Sequence, residues 1–137
     1  MTRLEPVDTT PRGFKPAPIS DAEAAAMFRA ALNLFARWAL TDEQAATLLD
    51  LPLRTFRRWK QAGAGRLGRD GKARLSNLMG IHKALRLIFR DANQCYAWIR
   101  KANTAFDGRS ALQVMLDGEL TDLMRVRRYL DAERGLW

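Results

Sequence analysis

From Met27 to Leu130 the apolar residues of this chain return at steps of three and four, and nowhere do they alternate convincingly. That step places them on one face of an α-helix, whereas a half-buried strand needs every second residue. The sequence therefore predicts an all-α protein. Met27, Ala31, Leu34, Phe35 and Trp38 form one stripe. Leu75, Leu78, Ile81, Leu85 and Ile88 form another, and Leu120, Leu123, Val126 and Leu130 a third.

Local signals punctuate these stripes. Ser20 with Glu23, and Thr41 with Gln44, have the spacing of capping boxes, in which side chains satisfy the orphan N–H groups of a first turn. The first helix therefore starts at Ser20 or Asp21, and the second at Thr41, running to about Leu49. Leu49-Asp50-Leu51 reads as a tight turn, and Pro52 suits the first position of a third helix. That helix is expected to end near Gln61, before Gly63-Ala64-Gly65. A long helix over 70–89, another from Asp91 or Asn93 to Ile99, a loop over 101–109, a short helix capped near Ser110 and a last helix over 120–132 complete the expectation. Residues 1–20 carry Pro6, Pro11, Pro16 and Pro18 and read as a flexible arm, with Arg3, Arg12 and Lys15 as its cations. The organisation predicted is this arm, a helix-turn-helix over 21–66, and a second small helical unit over 67–137.

Charge gives the first functional constraint. Residues 50–74 hold eight Lys/Arg and two Asp, a local charge of +6 out of +8 for all 137 residues. A polyanion such as a phosphate backbone is the natural partner for that density. The run lies on and after the expected third helix. Ala45 or Ala46 is small where the second and third helices must cross, and Leu48, Leu49 and Leu51 brace the turn. Asp50 stands where such turns often carry glycine, and aspartate tolerates the left-handed backbone better than most residues. On the third helix Leu53, Phe56 and Trp59 are expected to face inward. That leaves Arg54, Thr55, Arg57, Arg58 and Gln61 outward with Lys60 at the flank, as candidate DNA-binding residues. Arginine can pair with guanine O6 and N7, and threonine with a thymine methyl or a phosphate.

Other chemistries find no support in the sequence. His82 is the only histidine and Cys95 the only cysteine, so neither a metal set nor an internal disulfide is expected. Both read as ordinary helix residues, and a lone cysteine fits a reducing cytosol. No carboxylates flank a nucleophile and base, so an enzyme is not expected, and no cofactor with it. The glycines at 63, 65, 68 and 71 lack a nucleotide-loop pattern and read as a flexible connector. Residues 1–20 have no apolar signal core, and no stretch approaches the roughly 18 apolar residues of a membrane span. A mean hydropathy of −0.30 agrees with a soluble protein, and the bacterial cytoplasm is the expected location.

Several segments taken together resemble a known family. Trp98, Asn103 and Phe106, then Gly108, Gly118 and the closing LMRVRRYL, are similar to the toxin-binding domain of the Xre/MbcA/ParS antitoxins. AATLLDLPLRTFRRWK and the start at Arg74 and Leu75 resemble the helix-turn-helix half of the same family. The resemblance spans roughly residues 25–135. It implies an antitoxin that binds a RES-domain toxin, an NAD-degrading protein, and that represses its own promoter alone or in complex. Trp98 and Phe106 either pin the intervening loop to the core or stand out as anchors. The candidate toxin-binding residues are Arg100, Lys101, Asn103, Phe106, Arg109, Arg125, Arg128, Tyr129, Arg134 and Trp137. The C-terminal part is expected to lie across the toxin's NAD entrance, where a basic residue competes for a phosphate-accepting site. A homodimer on a palindrome, within a larger complex, follows from helix-turn-helix geometry, with half-sites about 34 Å apart. A stand-alone transcriptional regulator with a C-terminal dimerisation unit is the alternative, and a charge-driven general nucleic-acid binder a third reading.

Overall fold

The computed structural model describes residues 18–135. Among them are seven α-helices and no β-strand, with two 3₁₀ turns: α1 (Asp21–Arg37), α2 (Asp42–Leu49), α3 (Leu53–Ala62), α4 (Arg69–Ile88), α5 (Ala92–Ala97), α6 (Ala111–Met115) and α7 (Leu120–Glu133). The 3₁₀ turns, Trp98–Arg100 and Thr104–Phe106, follow α5. Residues 1–17 of the expected arm, with Arg3, Arg12 and Lys15, and residues 136–137, with Trp137, lie outside the described residues.

The helices start where side chains take over for missing backbone partners. Ser20 Oγ accepts from Glu23 N–H at 3.1 Å, and Glu23 reaches back to Ser20 N–H at 3.4 Å. Thr41 and Gln44 repeat this at 3.1 and 3.0 Å, and Ser110 and Gln113 at 3.1 and 2.8 Å. Each such cap contributes about 1 kcal/mol. Asp91 starts α5 by accepting from Asn93 and Gln94 N–H. Asp50 ends α2 in the left-handed region at φ 51°, which lets Leu51 N–H return to Ala46 O at 3.0 Å. Pro52 stands one place outside the position expected for it. It is the N-cap of α3, and its carbonyl accepts from Phe56 N–H at 2.9 Å.

One continuous core runs through the whole fold. Phe28 and Leu34 of α1, Trp38 at its C-cap, Leu48 and Leu49 of α2, Phe56 of α3, Leu75, Leu78, Ile81 and Leu85 of α4, and Leu123, Val126 and Leu130 of α7 are all buried in it. α4 packs on α1 and on α7, so it is the spine shared by the two halves of the sequence. At Gly80 a Cβ would lie 2.5 Å from the Arg127 guanidinium, the movable end of a side chain of α7 that lies over α4 there. The connector between α3 and α4 is packed where flexibility was expected. A Cβ on Gly65 would lie 2.7 Å from the Trp59 indole, one on Gly71 2.6 Å from Leu67, and Leu67 itself is buried. Gly65 in the connector and Gly71 in the first turn of α4 therefore serve close approach, while Gly63 ends α3 at φ 97° with open space around it.

Candidate functional site

The outermost line of α3 is Arg54, Arg58 and Gln61, all exposed. Opposite them Phe56 is buried, and Leu53 and Trp59 are half-buried. The Phe28 ring meets Phe56 edge-on at 6.3 Å and Trp59 edge-on at 6.0 Å. The Trp59 indole is thus a packing residue, and it is not offered to a base. Thr55 is half-buried on one flank of the helix.

The other flank is occupied. Arg57 Nε lies 3.3 Å from Asp42 Oδ2, and its Nη2 3.3 Å from Glu43 Oε1. Lys60 Nζ lies 3.0 Å from Asp42 Oδ1. The hydrogen bond from Lys60, its charge, and then Arg57 hold the Asp42 carboxyl below its ordinary value. These carboxylates stand in the first turn of α2, where the helix dipole also favours negative charge. Arg57 and Lys60 are thereby turned into a clip between α2 and α3.

Further along the basic run, more of the cations are paired. Lys72 pairs with Asp21 at 3.1 Å. Arg74 is 3% exposed, which is rare for an arginine. Its Nε meets Asp70 at 2.7 Å and its Nη1 donates to Leu48 O at 3.3 Å, tying α4 to the end of α2. Arg57, Lys60, Lys72 and Arg74 are therefore internally neutralised, while Arg54, Arg58, Arg66 and Arg69 have no carboxylate partner among the described residues.

In the C-terminal half, Trp98, Phe106 and Tyr129 form one aromatic cluster. Trp98 and Tyr129 stack with centroids 6.1 Å apart and planes 9° apart, and Phe106 meets Tyr129 edge-on at 5.2 Å. Phe106 is 1% exposed. Although expected among the partner-contacting residues, it is held in the core, with the Arg125 guanidinium carbon 5.3 Å above its ring. Asn103 also works internally. Its Oδ1 accepts from Ala105 N–H at 2.9 Å, and its carbonyl accepts from Phe106 and Gly108 N–H. Arg109 grips Asp117 with two bonds of 2.7 and 2.8 Å and donates to Gln113 O at 3.0 Å. That grip raises the Arg109 pKa and lowers that of Asp117. Arg100 donates to the carbonyls of Trp38 and Ala39 at 2.7 and 3.0 Å, fastening the end of α1 to the loop. Arg134 lies 3.7 Å from Asp131, and Arg125 3.9 Å from Asp107. Lys101 and Arg128 remain exposed with no carboxylate partner among the described residues.

No group of His, Cys, Asp and Glu among the described residues could hold a metal. His82 Nε2 lies 3.3 Å from the Tyr96 hydroxyl, and burial, then Arg86 and Arg37, push its pKa down. Cys95 is buried and its thiol is pushed up by burial, which removes it as a nucleophile at neutral pH. No described helix is long and apolar enough to cross a membrane.

Two features had no counterpart in the sequence reading. One is the Asp42–Glu43 clip, whose only linear signal is an acidic pair in the first turn of a capped helix. The other is a cleft of about 440 Å³ at the end of α4, lined by Arg37, Arg86, Phe89, Arg90, Cys95 and Tyr96.

Comparison with known proteins places these surfaces in a family context. Residues 17–80 match the antitoxin Xre-like helix-turn-helix domain, and residues 84–135 the antitoxin Xre/MbcA/ParS C-terminal toxin-binding domain. An uncharacterized protein of Sinorhizobium fredii, y4oB, is 45% identical over 125 residues, covering 90% of this chain and 95% of its own. Among solved structures, a chain of the M. tuberculosis MbcT–MbcA toxin–antitoxin complex is similar in fold. It aligns with a TM-score of 0.54 at 20% identity, covering 81% of this chain and 96% of that one.

Proposed function

Because this chain belongs to the Xre/MbcA/ParS antitoxin family, carrying both its helix-turn-helix and its toxin-binding domain, we propose that it neutralises a RES-domain, NAD-degrading toxin and represses its own promoter. A member of this family acts by binding and is not an enzyme. The observation that carries the proposal is the joining of the two domains through one core, with α4 as common spine. One face presents Arg54, Arg58 and Gln61 to a duplex groove. The far half presents the toxin-binding domain, with Lys101 and Arg128 as free cations.

In this reading the protein works in the bacterial cytoplasm as a homodimer within a larger toxin–antitoxin complex. Two copies of α3 enter successive major grooves about 34 Å apart. The C-terminal part covers the toxin's NAD entrance. Backbone phosphates supply most of the affinity, and Arg54, Arg58 and Gln61 supply base readout.

The test is co-expression with the RES-domain protein of the same operon, scored by growth and by cellular NAD, beside binding of the purified chain to its upstream DNA. Rescue of both NAD and growth is expected. Arg54→Ala with Arg58→Ala should weaken operator binding at least about tenfold, each arginine–base pairing being worth about 1–3 kcal/mol, and should spare rescue. Toxicity undiminished by a well-expressed, folded chain would end the toxin reading. Equal affinity for operator and unrelated DNA would end the promoter reading.

A further inference from the structure

Among the described residues Leu87, 61% exposed, and Ile88, 36% exposed, are the large apolar side chains that stand exposed rather than buried or half-buried against the core. They adjoin each other at the end of α4. Leu87 stands between Lys83, one turn before it, and Arg86, with Arg90 just beyond the helix. Arg37, at the end of α1, faces Arg86 and Arg90 across the cleft of about 440 Å³. Its guanidinium carbon sits 5.3 Å over the Tyr96 ring.

Lys83, Arg86, Arg90 and Arg37 are all exposed, and none has a carboxylate within ion-pair distance among the described residues. Nine ion pairs take up charges elsewhere among the described residues, and Arg54, Arg58, Arg66, Arg69, Lys101 and Arg128 also have no carboxylate partner there; what sets this corner apart is the exposed Leu87 beside its cations. The acid nearest in sequence, Asp91, spends its Oδ1 on the first N–H groups of α5. The lowered pKa of His82, in which Arg86 and Arg37 take part after burial, is a second sign that these guanidinium charges converge. An exposed apolar side chain flanked along its helix by unpaired cations, next to a cleft lined by arginines, is the arrangement of an interface centre with a charged rim. A second copy of this chain fits it poorly, because a two-fold axis here would bring arginines face to face. A DNA backbone would use the cations and leave Leu87 in water.

We infer that this corner of α1, α4 and α5 is a docking surface for the toxin, which meets it with an apolar pocket rimmed by carboxylates. The inference rests on the toxin reading above. It goes beyond that reading by assigning Leu87, Arg86, Arg90 and Arg37 as contacts away from the C-terminal end.

The experiment uses the full chain and the RES-domain protein of its operon. Arg86→Glu with Arg90→Glu should slow association at least about tenfold at 50 mM salt, and the deficit should shrink at 500 mM, as steering by rim charges requires. Leu87→Asp should weaken the complex at least about tenfold at both salts. The melting temperature of each variant is measured alongside. Should Leu87→Asp unfold the chain, Leu87→Gln replaces it, and the arginine variants stand independently. Wild-type affinity in all variants, with rescue by the wild type intact, overturns this inference and leaves the toxin reading standing. Loss of DNA binding or of dimerisation with toxin affinity unchanged also overturns it. Failure of the wild type to rescue growth removes both.

Discussion

The clip between α2 and α3 sets how this protein should respond to salt. Asp42 and Glu43 already neutralise Arg57 and Lys60, at separations of 3.0 to 3.3 Å. A cation held by its own carboxylate does not displace a counterion from DNA. Asp42→Asn combined with Glu43→Gln frees two cations per protomer beside the groove-facing line of α3. Each phosphate neutralised adds about −0.9 to the slope of log K against log salt, so the variant should be steeper by about 1.8 per protomer. Between 50 and 200 mM salt it should lose about twelvefold more affinity per protomer than the wild type, and at 50 mM it should bind unrelated DNA more tightly. The readout is fluorescence anisotropy of a labelled duplex, titrated at four or five salt concentrations. Taking the difference between variant and wild type cancels every cation the two proteins share. The stability lost should be small, since exposed pairs contribute only about 0.2–1 kcal/mol each. A slope that does not move, with the variant folded, would refute the reasoning. Arg57 and Lys60 would then already be on phosphates in the wild-type complex, and the carboxylates would be bystanders.

Three further outcomes follow from the packing and the ion pairs. Phe106→Ala should cost about 3–5 kcal/mol and lower the melting temperature sharply, because the ring is buried between Trp98 and Tyr129; a near-neutral melt with selective loss of toxin binding would return Phe106 to the interface. Gly65→Ala and Gly80→Ala should shift thermal stability in opposite directions. At Gly65 the new methyl meets the rigid Trp59 indole and costs about 1–3 kcal/mol. At Gly80 it meets the flexible end of Arg127 inside a helix, where alanine gains about 1 kcal/mol over glycine and outweighs the long contacts to Asp131 (3.8 Å) and to Ser76 O (3.5 Å) that the guanidinium gives up as it swings aside. The folded-state pKa of Asp42 lies below its ordinary value of 3.8, so its contribution to stability is fully present above that value and is lost as pH falls through the lowered one. Wild type and Asp42→Asn should therefore differ in stability by a constant amount from pH 7 to pH 5 and converge below about pH 4; a gap that closes already near pH 6 would place its origin elsewhere.

What was legible in the sequence was what neighbouring residues decide among themselves. Thr41 and Gln44 cap each other across three positions, so the start of α2 could be placed to the residue. Asp50 takes the left-handed turn because its side chain tolerates it, and that too is a local property. The inward face of α3 followed from Phe56 and its three- and four-residue neighbours. What escaped depends on how helices cross. Asp42 and Arg57 are fifteen positions apart and meet only because α2 and α3 turn at Asp50. Arg74 belongs to a run that looks like solvated charge, and it is buried because the carbonyl of Leu48 and the carboxylate of Asp70 are both brought to it. The internal partners of the loop arginines are also set by tertiary structure. Arg100 is exposed and Arg109 half-buried, yet both spend their charge on carbonyls and a carboxylate of their own fold. The cleft at the end of α4 draws Arg37 from α1, which nothing in the linear spacing could reveal.

The shared spine has a consequence for how such a protein can be inherited. The boundary between the two family domains, at residues 80 and 84, falls inside a single unbroken helix. A recombination event at that seam would sever a rod whose two ends bury Leu75 and Leu85, and each product would carry a raw apolar stub. Reader and captor are thus welded, and exchanging one for another should demand a donor that brings its own matching length of α4.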